Sequence, residues 1–127
     1  MVEPDRFPYS PLPARPNLKW PNNARVAVWV LPNIEHYEYQ PALLGGRNPW
    51  PRAPAPDVLG YGVRDYGNRV GVWRMFDCLD KHEIRSTVSL NFGIIEHYPE
   101  IWEAMEARQC DYLCHGLYNT RYLWNLP

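Results

Sequence analysis

Twelve of the 14 prolines lie in the first 56 residues, at positions 4, 8, 11, 13, 16, 21, 32, 41, 49, 51, 54 and 56. Proline removes a backbone donor and its ring collides with the preceding helical turn, so this half of the chain cannot be mainly helix. Only Pro99 and Pro127 follow, and the second half reads as ordinary α/β sequence. Residues 1–24 form a proline-rich arm whose composition favours extended or polyproline II backbone. Phe7, Tyr9, Leu12, Leu18 and Trp20 are interleaved with those prolines. A free tail has no use for them, so the arm is expected to wrap over the domain surface; the alternative is a disordered leader.

The rest of the chain, residues 25–127, is expected to be one domain with a moderate core, as the total of 127 residues allows. Thirteen basic residues against 14 acidic ones leave a net charge of −1, which makes no electrostatic case for a nucleic acid or an anionic membrane as partner. No apolar run approaches the roughly 20 residues of a membrane span. The start, Met1-Val2-Glu3-Pro4-Asp5, has neither a basic nor an apolar stretch, so a cytoplasmic location is the default expectation. Three cysteines, an odd number, argue against a disulfide scaffold.

Arg25 to Leu31 is the clearest strand, nearly all apolar and β-rich, followed by Pro32. Such a run predicts a strand covered on both faces. Residues 32–67, with Gly45-Gly46, a proline cluster and Gly60, Gly62 and Gly67, read as a long irregular loop, which is usually functional in a compact domain. Val70 to Glu83 reads as a helix, with Val72, Met75, Phe76 and Leu79 on one face and Asn68 as N-cap. Ser86 to Phe92 alternates as a second strand, Pro99 to Gln109 suits a helix opened by proline, and Asp111 to Cys114 is a short third strand. Strand, loop, helix, strand, helix, strand indicates βαβ units and a parallel sheet. Three strands make either a small open α/β sheet or the front of something larger, since a closed (β/α) barrel takes about 250 residues.

Sites in parallel α/β sheets lie at the carboxyl ends of strands. Asn33-Ile34-Glu35-His36-Tyr37-Glu38 follows the first strand and His115-Gly116-Leu117-Tyr118-Asn119 the third. With parallel strands, Glu35 and His115 converge on one substrate or one metal, and a carboxylate with an imidazole suits acid/base work or a divalent-metal shell. Bland readings stand beside these. Glu35 could be a solvated loop carboxylate, His36 is expected to be exposed, and His82 and His97 near helix ends read as caps or surface residues. Cys110 and Cys114 hint at a metal cluster but lack zinc-like spacing, and Cys114 reads as a buried thiol. Trp29, Trp73 and Trp102 are expected in the core. Trp20, Trp50, Tyr37, Tyr39, Tyr61 and Tyr66 sit in loops, as stacking platforms or as loop packing. No phosphate loop, dinucleotide fingerprint or G-x-S-x-G elbow occurs in the sequence.

The run Asp65-Tyr66-Gly67-Asn68-Arg69-Val70-Gly71-Val72-Trp73-Arg74 resembles a stretch of the polysaccharide deacetylase (NodB-homology) superfamily, in its branch of cofactor-independent allantoinase-type enzymes. Asn33-Ile34-Glu35 resembles that branch's segment after its first strand, and His115-Gly116 its His-Gly after the third. Order and spacing agree from about residue 25 to residue 120. The resemblance implies an α/β fold, the N-terminal portion of a distorted (β/α)7-type barrel, and hydrolysis of a carbon–nitrogen bond in an N-acetylated sugar or a small amide or ureide. It implies Glu35 and His115 as catalytic residues or ligands of a divalent cation such as zinc. Asn33, Tyr66, Arg69 and Asn119 become candidate substrate-binding residues, with Arg69 alternatively an anchor of its loop.

The pattern departs from the metal-dependent members of that superfamily. Their His-x3-His pair appears here as His115 and Asn119, and their acidic pair as Asn33 and Glu35. An amide oxygen is a poorer zinc ligand than imidazole and Asn is no base at neutral pH. The superfamily's later arginine, acidic residue and histidine have no counterpart, so the chain looks like the first half of the domain and is expected to be poorly stable or to aggregate alone, with strand three an open edge. The competing expectation is a non-catalytic binding or structural module, whose arm docks on a partner or swaps within a homo-oligomer.

Overall fold

The computed structural model describes residues 8–41 and 56–121. The start of the arm, Gly45-Gly46, Trp50, the prolines at 49, 51 and 54 and the segment from 122 onward lie outside these residues. A three-stranded parallel sheet in the order β1-β2-β3 organises the fold. Its strands are β1 (Asn33–Ile34), β2 (Thr87–Leu90) and β3 (Asp111–Cys114). Between β1 and β2 run α1 (Val58–Tyr66), a π-helical turn (Gly67–Gly71) and α2 (Val72–Lys81); between β2 and β3 run α3 (Gly93–His97) and α4 (Pro99–Ala107).

β1 is shorter and later than the expected strand over 25–31, and a missing donor explains it. Thr87 and Ser89 donate N–H bonds to the carbonyls of Val30 and Pro32, and Asn91 to that of Ile34. The parallel contact with β2 thus begins at Val30. Pro32 has no N–H to return, so reciprocal pairing starts only at Asn33, opposite Ser89. The expected cover on both faces of this strand is corrected too: Val28 is 84% and Trp29 66% exposed.

Sheet pairing follows the two-residue period. Ile34, Val88, Leu90 and Tyr112 turn to one face, where they meet Phe76 of α2 and Ile101 and Met105 of α4. Both crossovers step across the sheet in the same direction, so a common handedness lays both helices on that one face. The opposite face carries Asn33, Thr87, Ser89 and Leu113, and no described helix covers it. Trp29 lies on that side, its indole N–H donating to Thr87 Oγ1 at 2.9 Å, and is not core. Trp73 is also largely outside the core, edge-on to Phe76, whereas Trp102 packs against it beside Tyr112.

Helix α2 has the expected face, with Val72, Phe76 and Leu79 buried and Met75 against them. Its start does not. The loop expected to reach residue 67 contains α1, whose N-cap is Asp57, with Oδ1 accepting the Gly60 N–H at 2.9 Å. Gly60 and Gly62 are therefore helical, and Asn68 sits inside a continuous helical path rather than at an N-cap. Pro99 occupies the first turn of α4. Cys114, expected to be buried, is exposed because it ends the edge strand, while Cys110 is buried beside Ser86. In the described part of the arm, Tyr9, Leu12 and Leu18 stay exposed, and its backbone bonds close only two short 3-10 turns, Leu12–Ala14 and Pro21–Asn23. Among the described residues no helix is long and apolar enough to cross a membrane.

Candidate functional site

The carboxyl ends of β1 and β3 carry Glu35 and His115, 80 residues apart in sequence, and the structure brings them together. His115 Nε2 lies 3.0 Å from Glu35 Oε1. A carboxylate only accepts, so Nε2 carries the hydrogen and Nδ1 is left as the lone-pair nitrogen. Among the described residues nothing bonds that Nδ1, and the His115 side chain is 39% exposed. The other oxygen of Glu35, Oε2, accepts from the Tyr37 hydroxyl at 2.7 Å and from Asn119 Nδ2 at 3.2 Å. Asn119 also donates to the Tyr37 oxygen. Burial first, then the bond to Glu35, raises the Tyr37 phenol above its usual 10.0, which keeps it a donor.

The backbone of this segment is held from several sides. Asn68 on the π-helical turn donates to the carbonyl of Glu35 at 2.9 Å. Asn119 N–H donates to the carbonyl of His36 at 3.0 Å. Next to it, Glu38 accepts from Thr120 Oγ1 at 2.6 Å and pairs with Arg121. Burial works against the Glu38 charge, but the Arg121 and Thr120 hydrogen bonds outweigh it and hold the carboxyl below its usual 4.5. Beside Glu35 opens a cavity of about 330 Å³ lined by Asn33, Tyr37, Arg64, Asn68 and the glycines Gly67 and Gly71.

The remaining expected residues divide. Asn33 lines this cavity and Asn119 touches Glu35. Tyr66 does not reach it: it is exposed, bonded to Arg74 at 3.2 Å, and lines a separate shallow apolar depression with Val58, Leu59 and Val63. Arg69 pairs with Asp65, which accepts the Tyr98 hydroxyl at 3.1 Å. Arg69 thus stays within the helical path, and it is Asp65 that links this path to the residue before α4. Burial, then the Asp65 bond, pushes the Tyr98 phenol up to about 12. His36, expected to be exposed, is buried, its ring stacked on His97 at 4.1 Å and flanked by Tyr98 and Tyr118. As site residues Asn91, just past β2, and Asn68, on the π-helical turn, escape sequence reasoning, because neither carries a spacing signature.

Zinc in a catalytic site takes three protein ligands and keeps one open position. Here the carboxylate has one imidazole beside it, and its two oxygens already face N–H and O–H donors. No three His, Cys, Asp or Glu gather among the described residues. These described side chains by themselves do not make a zinc site.

A Schizosaccharomyces pombe (strain 972 / ATCC 24843) protein named "Putative polysaccharide deacetylase" is 29% identical to this chain over 108 residues, covering 76% of the chain and 34% of that protein. The chain thus spans about a third of the length of this curated relative. No family model matches the chain, and no solved structure matches it. The likeness to the yeast protein supports, at the level of the superfamily, a resemblance to the polysaccharide deacetylases and to their hydrolase chemistry.

Proposed function

We propose that this chain is the N-terminal portion of a distorted (β/α)7-type hydrolase of the allantoinase-type branch, acting on a carbon–nitrogen bond other than a peptide bond. The observation that carries it is the 3.0 Å contact between His115 Nε2 and Glu35 Oε1 on one sheet rim. The carboxylate selects the tautomer and orientation of the imidazole, and the opposite nitrogen, Nδ1, is the base. Nδ1 takes a proton from water as the water oxygen bonds the substrate carbonyl carbon and the π pair moves onto the carbonyl oxygen. Collapse of that oxyanion re-forms the carbonyl and breaks the C–N bond, and the imidazolium returns its proton to the leaving nitrogen. Asn119 Nδ2 and the Tyr37 hydroxyl lie at this rim, and each would turn from its bond to Glu35 Oε2 to donate to the oxyanion. The cavity on the other side of Glu35, lined by Asn33, Tyr37, Arg64 and Asn68 but not by His115 or Asn119, has room for the remainder of a small amide, a ureide or one sugar residue whose carbonyl reaches the rim.

A second reading, a non-catalytic module, is favoured by a different observation. Both oxygens of Glu35 are already engaged by side chains of this chain, as in a structural knot. Turnover separates the two. In the full-length protein, assayed on N-acetylated glucosamine oligomers and on ureides, Glu35→Gln and His115→Ala should each lower kcat at least about 100-fold while leaving the fold intact. Retained turnover in both variants refutes the assignment, and no turnover in the unaltered protein, with or without added zinc, favours the module. Chelation by EDTA should leave the rate unchanged; loss of rate restored by zinc would mean that ligands come from outside the described residues.

A further inference from the structure

β1 and β3 are not neighbours; each pairs with β2 alone. Adjacent strands lie about 4.8 Å apart, so the chains carrying Glu35 and His115 are separated by roughly 10 Å and their side chains meet only by reaching over the end of β2. The residue at that end is Asn91, which is 0% exposed. Its Oδ1 accepts the backbone N–H of His36 at 3.0 Å, and its Nδ2 donates to the backbone carbonyl of His115. The amide orientation is forced, because one partner can only donate and the other only accept. Its own N–H continues the ladder to the Ile34 carbonyl at 3.0 Å, and its carbonyl accepts the Ile94 N–H at the start of α3. The N–H of His36 belongs to the peptide that follows Glu35. One planar group therefore fixes the backbone on both sides of the carboxylate–imidazole contact.

We propose that Asn91 is a positioning residue that holds Glu35 and His115 in contact by bracing the peptide after Glu35 and the carbonyl of His115 with a single side-chain amide. Its effect on turnover rests on the hydrolytic reading above; the brace itself does not. No apolar side chain of this size supplies an acceptor and a donor at opposite ends, and aspartate supplies only the acceptor. Losing either bond leaves a buried backbone group without its partner, and the strand end shifts to satisfy it.

The test is a comparison of His115 ring nitrogen signals in 15N-histidine-labelled protein, and it needs no substrate. In the unaltered chain, Glu35→Gln should move the Nε2 signal of His115. In Asn91→Leu, of the same branching though somewhat larger, the same Glu35→Gln change should move it little or not at all. An equal response in both backgrounds overturns the brace. Should Asn91→Leu fail to fold, Asn91→Asp, which keeps the acceptor for His36 and removes the donor to His115, decides by the same comparison at neutral pH. In turnover, Asn91→Leu should lower kcat about 100-fold with KM within about threefold, and should cost little more when Glu35 is already Gln. A full further loss in that background also counts against it. If the unaltered protein turns nothing over, the hydrolase reading falls, and the ring signals still decide the brace.

Discussion

Burial, then the neighbouring His97, holds the His36 imidazole below its usual 6.5, against the opposing charges of Glu38 and Asp65 and with that of Arg121. Well above 6.5 the ring is neutral in both folded and unfolded chains and contributes no pH dependence. As pH falls below 6.5 the unfolded chain binds the proton first, so stability declines until the folded ring also titrates. Glu38 adds a second decline, below 4.5, as its Arg121-paired carboxylate is protonated. Thermal unfolding of His36→Phe should show a shallower loss just below 6.5 and a loss below 4.5 that persists, slightly reduced because the His36 charge also favours the Glu38 carboxylate; an unaltered upper slope would place that effect on another group. His36 also marks the limit of reading residues from sequence. Glu35 and His115 are legible as strand-end residues, whereas burial of His36 depends on Tyr98 and Tyr118 arriving from two later elements.

Elements differ in what their glycines tolerate. Gly62 lies inside α1, and a methyl group there would meet nothing within 4 Å. Gly62→Ala should stabilise by about 0.5–1 kcal/mol, since helical glycine loses more backbone entropy on folding. Gly93 opens α3, and a methyl group there would lie 2.7 Å from the Tyr118 ring and 2.9 Å from the Leu117 carbonyl. Gly93→Ala should destabilise by about 1–3 kcal/mol, because the obstacle is partly backbone. Denaturant unfolding of the two variants should give opposite signs; like signs would mean that α3 does not pack on the loop after β3. Phe76→Ala, in α2, should cost about 3–5 kcal/mol by opening a cavity in the core. The α2 face was readable from its 3.6-residue period. The earlier α1 was not, because its glycines suggest loop until Asp57 is seen capping them.

Among the described residues the helices cover one face of the sheet and leave Trp29 and Leu113 exposed on the other, and Val26 and Val28 in the segment before β1 are exposed as well. Exposed apolar side chains next to open strand edges favour self-association. The apparent molar mass of the 127-residue chain by light scattering should rise with concentration, and Val28→Lys should reduce that rise without lowering the unfolding temperature. Scattering unaffected by this change would put the sticky surface elsewhere.

Local chemistry alone determined the proline-poor second half, the α2 stripe, the start of α4 at Pro99, the parallel βαβ order and the two strand ends that carry Glu35 and His115, because period, capping and proline sterics act within a few residues. Tertiary structure alone decided that Pro32 delays β1, that no described helix covers one sheet face, that His36 is buried and that Asn91 lies between the two strand ends. Each of these depends on which distant segment supplies a donor, an acceptor or a covering side chain, and no short-range pattern in the chain encodes such a partner.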